Sequence, residues 1–210
     1  MSNLKASPEV MRSQAERVRS QGKVLQTKMH DAYRKVSGMA NTAWYGKRYD
    51  ELATAYNAAQ VTDVLKKMLD VVIFTVPSNL ETMANNYATS FGTGRKGNVG
   101  TEKATNFPTI TLTNRGEEVY IDPSKVTTVK DDVARDFTAA VNEMNGSISQ
   151  AIDSMLTTWE GKAKDQFAKD WRQIKENVVK TVNDLNKTFK DQLELAIADA
   201  PKVENANMGL

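Results

Sequence analysis

The chain has 210 residues, enough for one or two domains, and its net charge of +2 is too small to indicate a nucleic-acid binder held by phosphate neutralisation. With 40% hydrophobic and 26% charged residues, its composition is typical of soluble amphipathic helices and too apolar for full disorder. The chain has no cysteine, which excludes disulfide bonds and thiolate chemistry.

The first segment predicts one long helix. Residues 1–9 lack the apolar core of a cleavable secretory signal, so we expect none. Ser7, Pro8 and Glu9 form a good helix start, with a capping serine, a proline at the first helical position and an acid in the first turn. The apolar residues that follow alternate spacings of four and three, which predicts one helix face: Met11, Ala15, Val18, Gly22, Leu25, Met29, Ala32, Val36 and Met39.

The helical pattern breaks at residues 38–46 and resumes as a second amphipathic run from Leu52 to Tyr87. Within it, the apolar face of Val71–Val76 widens to nearly the whole circumference, so we expect this stretch to be covered on more than one side. It is far shorter than the ~20 residues that a helix needs to span a bilayer. Pro77 predicts a kink, or a helix end at the preceding residue.

Residues 92–122 differ in character from the helical runs. Gly92–Gly100 predicts a flexible polar connector. Thr109–Thr113 and Glu117–Ile121 then alternate β-forming residues on either side of Asn114–Gly116, which predicts a small β-hairpin. An isolated β-hairpin is only marginally stable, so we expect it to pack against the helices.

Helical periodicity restarts at Asp122–Ser124. It runs from Val133 to Met155, breaks at Trp159–Gly161, and continues from Phe167 to Ile197. Pro201 and the polar residues after it predict a flexible tail over 201–210.

The two breaks align at a constant offset of 115 residues (159 minus 44). A glycine at each break permits the positive φ that a tight reversal needs, and a tryptophan beside it supplies apolar area that locks two helix ends together. This self-similarity predicts a duplicated helical hairpin. Identical residues recur at Trp44/Trp159, Gly46/Gly161, Lys47/Lys162, Asp50/Asp165 and Ala53/Ala168, and large apolar residues match at Leu52/Phe167 and Tyr56/Trp171.

With these motifs, the chain resembles two fused members of the small Trp-x-Gly family, the early-secreted-antigen-like substrates of bacterial type VII secretion. The resemblance covers the chain apart from residues 92–122. It implies an all-α fold, in which two long antiparallel helical hairpins form an elongated four-helix bundle. We expect the first hairpin over 1–91, the linker with its β-hairpin over 92–122, the second hairpin over 123–200 and the tail over 201–210.

The resemblance also implies a non-enzymatic secreted protein-binding module, made in the bacterial cytoplasm and exported without a cleavable signal peptide. Its expected partners are the secretion ATPase, another Trp-x-Gly protein or a second copy of the chain. Many family members carry a Tyr-x-x-x-Asp/Glu export signal, but no tyrosine here has an acid four residues later. This departure favours a firmicute-type system, or a partner that carries the signal.

The candidate binding residues are Trp44, Gly46, Trp159 and Gly161, which serve either as an export-recognition surface or as turn packing. The Gly-x-Gly-x-x-Gly string at Gly92–Gly97 follows a helix rather than a strand, so we interpret it as linker.

His30 is the sole histidine, and with no cysteine it predicts neither a His/Cys metal cluster nor a catalytic triad. We therefore expect no catalytic residue, metal or cofactor. Two alternatives stay open: an intracellular helical scaffold or adaptor, and a membrane-active effector that uses the Leu69–Val76 strip.

Overall fold

The computed structural model describes residues 5–92 and 95–207. The chain is mostly α-helical, which confirms the all-α prediction, and the described residues form one two-stranded sheet. The α-helices are α1 (Pro8–Gly38), α2 (Lys47–Asn57), α3 (Ala59–Asp70), α4 (Val76–Ser90), α5 (Pro123–Glu143), α6 (Ser149–Leu156) and α7 (Lys162–Asn207). Two π-helical segments, π1 (Val71–Thr75) and π2 (Met144–Ile148), and two short strands, β1 (Trp44–Tyr45) and β2 (Tyr120–Ile121), complete the fold.

The first helix begins and ends within a residue of its predicted limits. Pro8 takes the first helical position, and the backbone N–H of Met11 donates to the Ser7 carbonyl at 3.0 Å. The heptad residues Met11, Val18, Leu25, Met29 and Val36 have no exposed surface. The predicted apolar face of α1 is therefore the face that the fold buries.

Pro77 neither ends the helical run nor stands in an ordinary α-turn. The preceding π1 segment makes the wider bond from the Val76 N–H to the Val71 carbonyl, and α4 then continues to Ser90. A proline inside an α-helix removes one hydrogen bond and crowds the carbonyl four residues earlier, so a local change of hydrogen-bond pattern accommodates it. Of the two predicted outcomes, the helix end at Val76 is therefore wrong, and the kink stays a prediction.

The apolar stretch around π1 is covered on several sides, as expected. Val72, Ile73 and Val76 are buried, and the half-buried Phe74 ring lies 5.2 Å from the Lys103 amino nitrogen.

The predicted β-hairpin in the connector is wrong. Tyr120–Ile121 does form a strand, but it pairs antiparallel with Trp44–Tyr45, not with Thr109–Thr113. The earlier segment runs without strand pairing because helix side chains satisfy its backbone: the Ile110 N–H donates to Asn57 Oδ1 at 2.8 Å, and the Thr113 N–H donates to Asp50 Oδ1 at 2.6 Å. These bonds replace the partner strand that a hairpin would need.

Similar bonds hold the glycine-rich part of the connector. The Gly97 N–H donates to Asn85 Oδ1 at 2.8 Å, and the Gly100 N–H donates to Glu81 Oε2 at 2.7 Å. The Ala104 N–H donates to Asp70 Oδ1 at 2.6 Å. Where it is described, this segment is fastened to polar side chains of α3 and α4, in contrast with the flexible connector that its composition predicts. Gly94 of the Gly-x-Gly-x-x-Gly string lies outside the described residues.

The fold divides into two compact units. Unit 1 comprises the described residues of Met1–Gln26, Lys66–Thr105 and Ala140–Thr181, and unit 2 those of Thr27–Leu65, Asn106–Ala139 and Val182–Leu210. Each unit thus takes segments from both predicted hairpins and from the connector.

Unit 1 has an apolar core with one buried ion pair in it. Its fully buried side chains include Met11, Leu69, Ile73, Leu80 and Trp159. Arg19 donates from both terminal nitrogens to the two carboxylate oxygens of Glu81, at 2.8 Å each. Both side chains are buried, and their two parallel hydrogen bonds offset the free-energy cost of removing the two charges from water.

The core of unit 2 is an aromatic cluster. The Tyr56 and Phe189 rings stack with centroids 3.8 Å apart, and Tyr33 meets Phe189 and Phe107 edge-on at 5.6 and 4.9 Å. Phe107 belongs to the connector, which therefore contributes to this core.

Helix α7 continues through Pro201 to Asn207, where the composition predicts a flexible tail, and residues 208–210 of that tail lie outside the described residues. Pro201 lies within the last two turns of α7, where its missing backbone N–H removes one helical hydrogen bond. No helix in the described part of the chain is long and apolar enough to cross a membrane.

Candidate interaction site at the Trp-x-Gly turns

The glycines of the two Trp-x-Gly motifs adopt the same unusual backbone conformation. Gly46 has φ 116° and ψ −178°, and Gly161 has φ 117°. Residues other than glycine rarely adopt this combination of backbone angles, because a Cβ atom would clash with the backbone. A Cβ on Gly46 would also lie 2.9 Å from the Glu118 carbonyl oxygen. The expectation that each reversal needs a glycine with positive φ is confirmed.

Trp159 is enclosed in unit 1. It has no exposed surface, and its indole N–H donates to the Tyr87 hydroxyl at 3.1 Å. The Tyr87 ring meets the indole edge-on at 6.2 Å, and Phe167 lies tilted against it at 5.7 Å. Aromatic side chains of α4 and α7 thus close this turn and satisfy its polar atom.

Trp44 in unit 2 has a different environment. The residue is 5% exposed, and its ring meets Tyr49 edge-on at 5.4 Å. The Tyr49 hydroxyl donates elsewhere, to the Val36 carbonyl at 3.0 Å, and burial raises its pKa, so it remains a donor. Among the described residues, none accepts a hydrogen bond from the Trp44 indole N–H, which distinguishes it from Trp159.

Each turn pairs with the segment that leads into the first helix of the other predicted hairpin. In unit 2, Tyr45 pairs with Tyr120, three residues before α5 begins, and their rings stack at 5.3 Å. In unit 1, Glu160 forms an antiparallel bridge with Lys5, three residues before α1 begins, and its N–H donates to the Lys5 carbonyl at 2.8 Å. Both turn positions and both lead-in positions differ by 115 residues (160 minus 45 and 120 minus 5).

A groove opens beside Trp44. Its volume is about 500 Å³, and β1, the start of α2, the residues around β2 and the end of α7 form its walls. A second groove of about 630 Å³ shares Trp44 and extends along α2 and α7. The walls of the first are Trp44, Tyr45, Gly46, Lys47, Arg48, Val119, Ile121, Ala196, Asp199, Ala200 and Lys202.

Ion pairs cross the mouth of this groove. Arg48 on α2 forms a salt bridge with Asp199 on α7, and Lys202 contacts the same carboxylate at 3.0 Å. Exposed apolar side chains lie at both grooves: Val119, which is 53% exposed, lines the first, and Leu195, which is 57% exposed, lines the second. Exposed apolar residues around a concave, charged-rimmed surface are the usual composition of a protein-binding site.

The structure separates the four predicted site residues into two groups. Trp44 and Gly46 belong to unit 2 and border the groove, whereas Trp159 and Gly161 belong to unit 1. Sequence reasoning missed the wall that α7 contributes. Its signal is present in the sequence, since Ala196, Ala198 and Ala200 make the end of α7 unusually slender, but periodicity alone does not assign such residues to a site.

The other polar groups considered in the sequence form no chemical centre in the described part of the chain. His30 is 5% exposed, its ring lies 4.7 Å from that of Phe107, and its Nε2 has no hydrogen-bond partner. No cluster of three or more histidine, aspartate or glutamate side chains with metal-binding geometry occurs among the described residues.

Comparisons of the chain with protein-family models, with curated proteins and with solved structures found no match.

Proposed function

We propose that this chain is a non-enzymatic, secreted protein-binding module, exported as a substrate of a bacterial type VII secretion system, and that it consists of two fused Trp-x-Gly hairpins. The observation that supports this most strongly is the equivalence of the two turns. Gly46 and Gly161 share one φ value within a degree, and each turn pairs with a lead-in segment at the same 115-residue offset. Two unrelated loops have no reason to share both properties.

The bundle proposal follows from the same resemblance. Each unit contains stretches of four helical runs, namely those of α1, of the α2–α4 run, of the α5–α6 run and of α7. Short reversals at Trp44–Gly46 and Trp159–Gly161 favour antiparallel neighbours. We therefore propose two long antiparallel hairpins that together form a four-helix bundle.

Binding rather than catalysis is proposed as the mode of action, with the groove beside Trp44 as its site. The exposed Val119 side chain supplies apolar contact area in this groove and the exposed Leu195 side chain supplies it in the adjoining one, while Lys47, Arg48 and Lys202 supply charge at the rim. The proposed partners are the secretion ATPase, another Trp-x-Gly protein or a second copy of the chain.

The membrane-active alternative has less support. It depended on the Leu69–Val76 strip, but Leu69, Val72, Ile73 and Val76 are all buried in unit 1. A membrane would receive these side chains only if the unit opened, at the cost of losing its core packing.

Secretion in the producing bacterium tests the proposal. The full chain is expressed in the parent strain and in a strain that lacks the type VII ATPase, and its amount in the culture supernatant is measured with a cytoplasmic marker as the lysis control. We expect the protein in the supernatant of the parent alone. Equal amounts in both supernatants, or retention in both strains, would contradict export by this route and favour the intracellular scaffold.

Point variants separate recognition from packing in the same assay. Trp44→Phe keeps a large ring but removes the indole N–H at the groove, so we expect reduced export with little change in melting temperature. If the Trp44→Phe protein is exported as well as the parent, Trp44 has no role in export recognition and serves only to pack the turn.

A further inference from the structure

Two glycines of the connector are held by side chains of α4 through their backbone atoms alone. The Gly97 N–H donates to Asn85 Oδ1, and the Gly97 carbonyl accepts from Asn85 Nδ2, both at 2.8 Å. The Gly100 N–H donates to Glu81 Oε2 at 2.7 Å, and its carbonyl accepts from the Ser78 hydroxyl at 2.9 Å. Helix α4 thus binds the donor and the acceptor of one and the same residue, twice. Such contacts bind a chain without reference to its side chains.

The positions of these bonds show that the chain they hold is extended. From Asp70, which accepts the Ala104 N–H, to Asn85, the helical run advances 15 residues (85 minus 70), or roughly 22 Å at 1.5 Å per residue. The connector covers this span between Ala104 and Gly97 in seven residues (104 minus 97), which reach about 23–25 Å at full extension. This part of the connector therefore runs nearly straight and antiparallel to α3 and α4.

Two arginines of α1 restrict both held positions to glycine. A Cβ on Gly97 would lie 2.9 Å from Arg12 Cδ, and a Cβ on Gly100 would collide with the Arg19 guanidinium. Neither guanidinium is free to withdraw, because each is hydrogen-bonded to a side chain of α4. The groove between α1 and α4 in unit 1 therefore accepts an extended chain with two glycines three residues apart.

The other side chains of residues 95–103, which we call the glycine segment, attach it weakly. Apart from its two glycines, the segment is exposed throughout. Its ion pair between Glu102 and Lys23 leaves both side chains about half exposed, and such pairs add little to stability. A cavity of about 510 Å³ lies beside Asn98, so the groove has room for a larger side chain between the two glycines.

A later part of the connector provides a contrast. In unit 2, Asn57 binds the N–H and the carbonyl of Ile110 in the same two-point manner, at 2.8 Å each. There the Ile110 side chain has no exposed surface and Phe107 is 8% exposed, so apolar burial fixes the chain as well. The glycine segment has no such anchor, and each of its backbone hydrogen bonds adds only about 0.5–1.5 kcal/mol. A second chain with the same backbone can therefore compete for its place.

We propose that the groove between α1 and α4 is a binding site for an extended Gly-x-x-Gly segment of a partner protein, and that the glycine segment occupies it as an intramolecular competitor. In the complex, the two glycines of the partner take the positions of Gly97 and Gly100. Asn85, Glu81 and Ser78 then bind the partner's backbone. The site belongs to unit 1 and goes beyond the binding function proposed above for the groove in unit 2.

Peptide binding to the full chain tests the proposal. The probe is fluorescein-labelled Arg-Lys-Gly-Asn-Val-Gly-Thr-Glu-Lys amide, the sequence of residues 95–103, and its anisotropy is measured with wild-type and Gly100→Ala protein. The substitution weakens the competitor and leaves every side chain of the groove in place. We expect Gly100→Ala to bind the probe about tenfold or more tightly than the wild type, the factor that corresponds to the loss of one or two hydrogen bonds from the competitor.

Three controls accompany this measurement. Asn98→Ala changes an exposed residue of the same segment that makes no hydrogen bond to α4 among the described residues, so it should bind the probe no better than the wild type. A probe with alanine at both glycine positions should bind none of the proteins. Adding Asn85→Ala to Gly100→Ala should abolish binding of the original probe, because it removes the two-point contact of the groove.

The proposal is overturned if Gly100→Ala and the wild type bind the probe equally, if the alanine probe binds as well as the original, or if Asn85→Ala leaves binding intact. If Gly100→Ala fails to fold, ¹⁵N-labelled wild-type protein decides the question. A tethered competitor acts at an effective concentration on the order of millimolar, so unlabelled peptide on the order of several millimolar should shift the Gly97 and Gly100 amide resonances. Unmoved resonances would refute the site. None of these measurements involves secretion, so their outcome is independent of the export proposal.

Discussion

The Trp159 indole N–H donates a hydrogen bond to the hydroxyl of Tyr87, a residue 72 positions earlier in the chain. The contact connects the second Trp-x-Gly turn to α4. It also gives the tryptophan a structural duty that its sequence motif alone does not reveal.

Replacing Trp159 with alanine should therefore cost stability. The side chain has no exposed surface, so its removal leaves a large cavity, and we expect a loss of about 3–5 kcal/mol in the free energy of unfolding. Tyr87→Phe should cost about 1–3 kcal/mol because it leaves the buried indole N–H without an acceptor. Urea unfolding followed by circular dichroism measures both, and a Trp159→Ala protein as stable as the parent would refute the packing role.

The turn glycines should not tolerate alanine. Gly46→Ala places a Cβ against the Glu118 carbonyl at 2.9 Å and forces a φ of 116° on a residue with a side chain. We expect a loss of at least about 1–3 kcal/mol. Gly146→Ala is the control, because this helical glycine has no atom within 4 Å of an added Cβ. We expect it to be neutral or stabilising, and similar melting temperatures for the two variants would count against strain at the turn.

The buried ion pair of unit 1 should be sensitive to loss of one partner. Glu81→Gln leaves the Arg19 guanidinium buried without its carboxylate and weakens the anchor of the Gly100 N–H, so we expect a loss of about 3–5 kcal/mol. The comparison is Asp191→Asn, which breaks an exposed pair with Lys187 and should cost less than about 0.5 kcal/mol. Equal effects in chemical unfolding would show that burial adds nothing to the Arg19–Glu81 pair.

His30 should make the protein sensitive to mild acid. Burial lowers its pKa from 6.5 to about 4, and the nearby Arg34 cation adds to the effect. Between these pH values the unfolded chain binds a proton that the folded chain does not bind, so stability falls as the pH drops from 6.5 towards 4. The full loss is on the order of 3 kcal/mol.

The His30→Leu variant isolates this contribution. Leucine fills a similar volume beside Phe107 and removes the unpartnered Nε2, so the variant should equal or exceed the wild type in stability at pH 7. The difference between the two proteins should grow as the pH falls below 6.5. If their stability curves run parallel from pH 7 to pH 4, His30 is not the source of acid sensitivity.

The helices and the turns could be predicted because both depend on local information. The heptad residues of α1 are the residues that the fold buries, and glycine at positions 46 and 161 is required by a single backbone angle. The π1 segment could not be predicted in this way, because its residues are compatible with either α-helical or π-helical hydrogen bonding. Only the following Pro77 marks where the hydrogen-bond pattern changes.

The connector and the groove depend on contacts between residues far apart in sequence. Tyr120–Ile121 has the composition of a hairpin strand, but its partner, Trp44–Tyr45, lies more than 70 residues earlier. Asp50, Asn57 and Glu81 read as ordinary charged or polar helix residues, although each receives a backbone N–H of the connector.

The crossed pairing of the lead-in segments constrains how this gene can be divided. A chain cut within the connector would give two fragments, each with a Trp-x-Gly turn whose strand partner is on the other fragment. Neither fragment would be expected to fold fully by itself, whereas the two together would regain both pairings. Because one polypeptide carries both segments, they are present in equal amounts and their association does not depend on protein concentration.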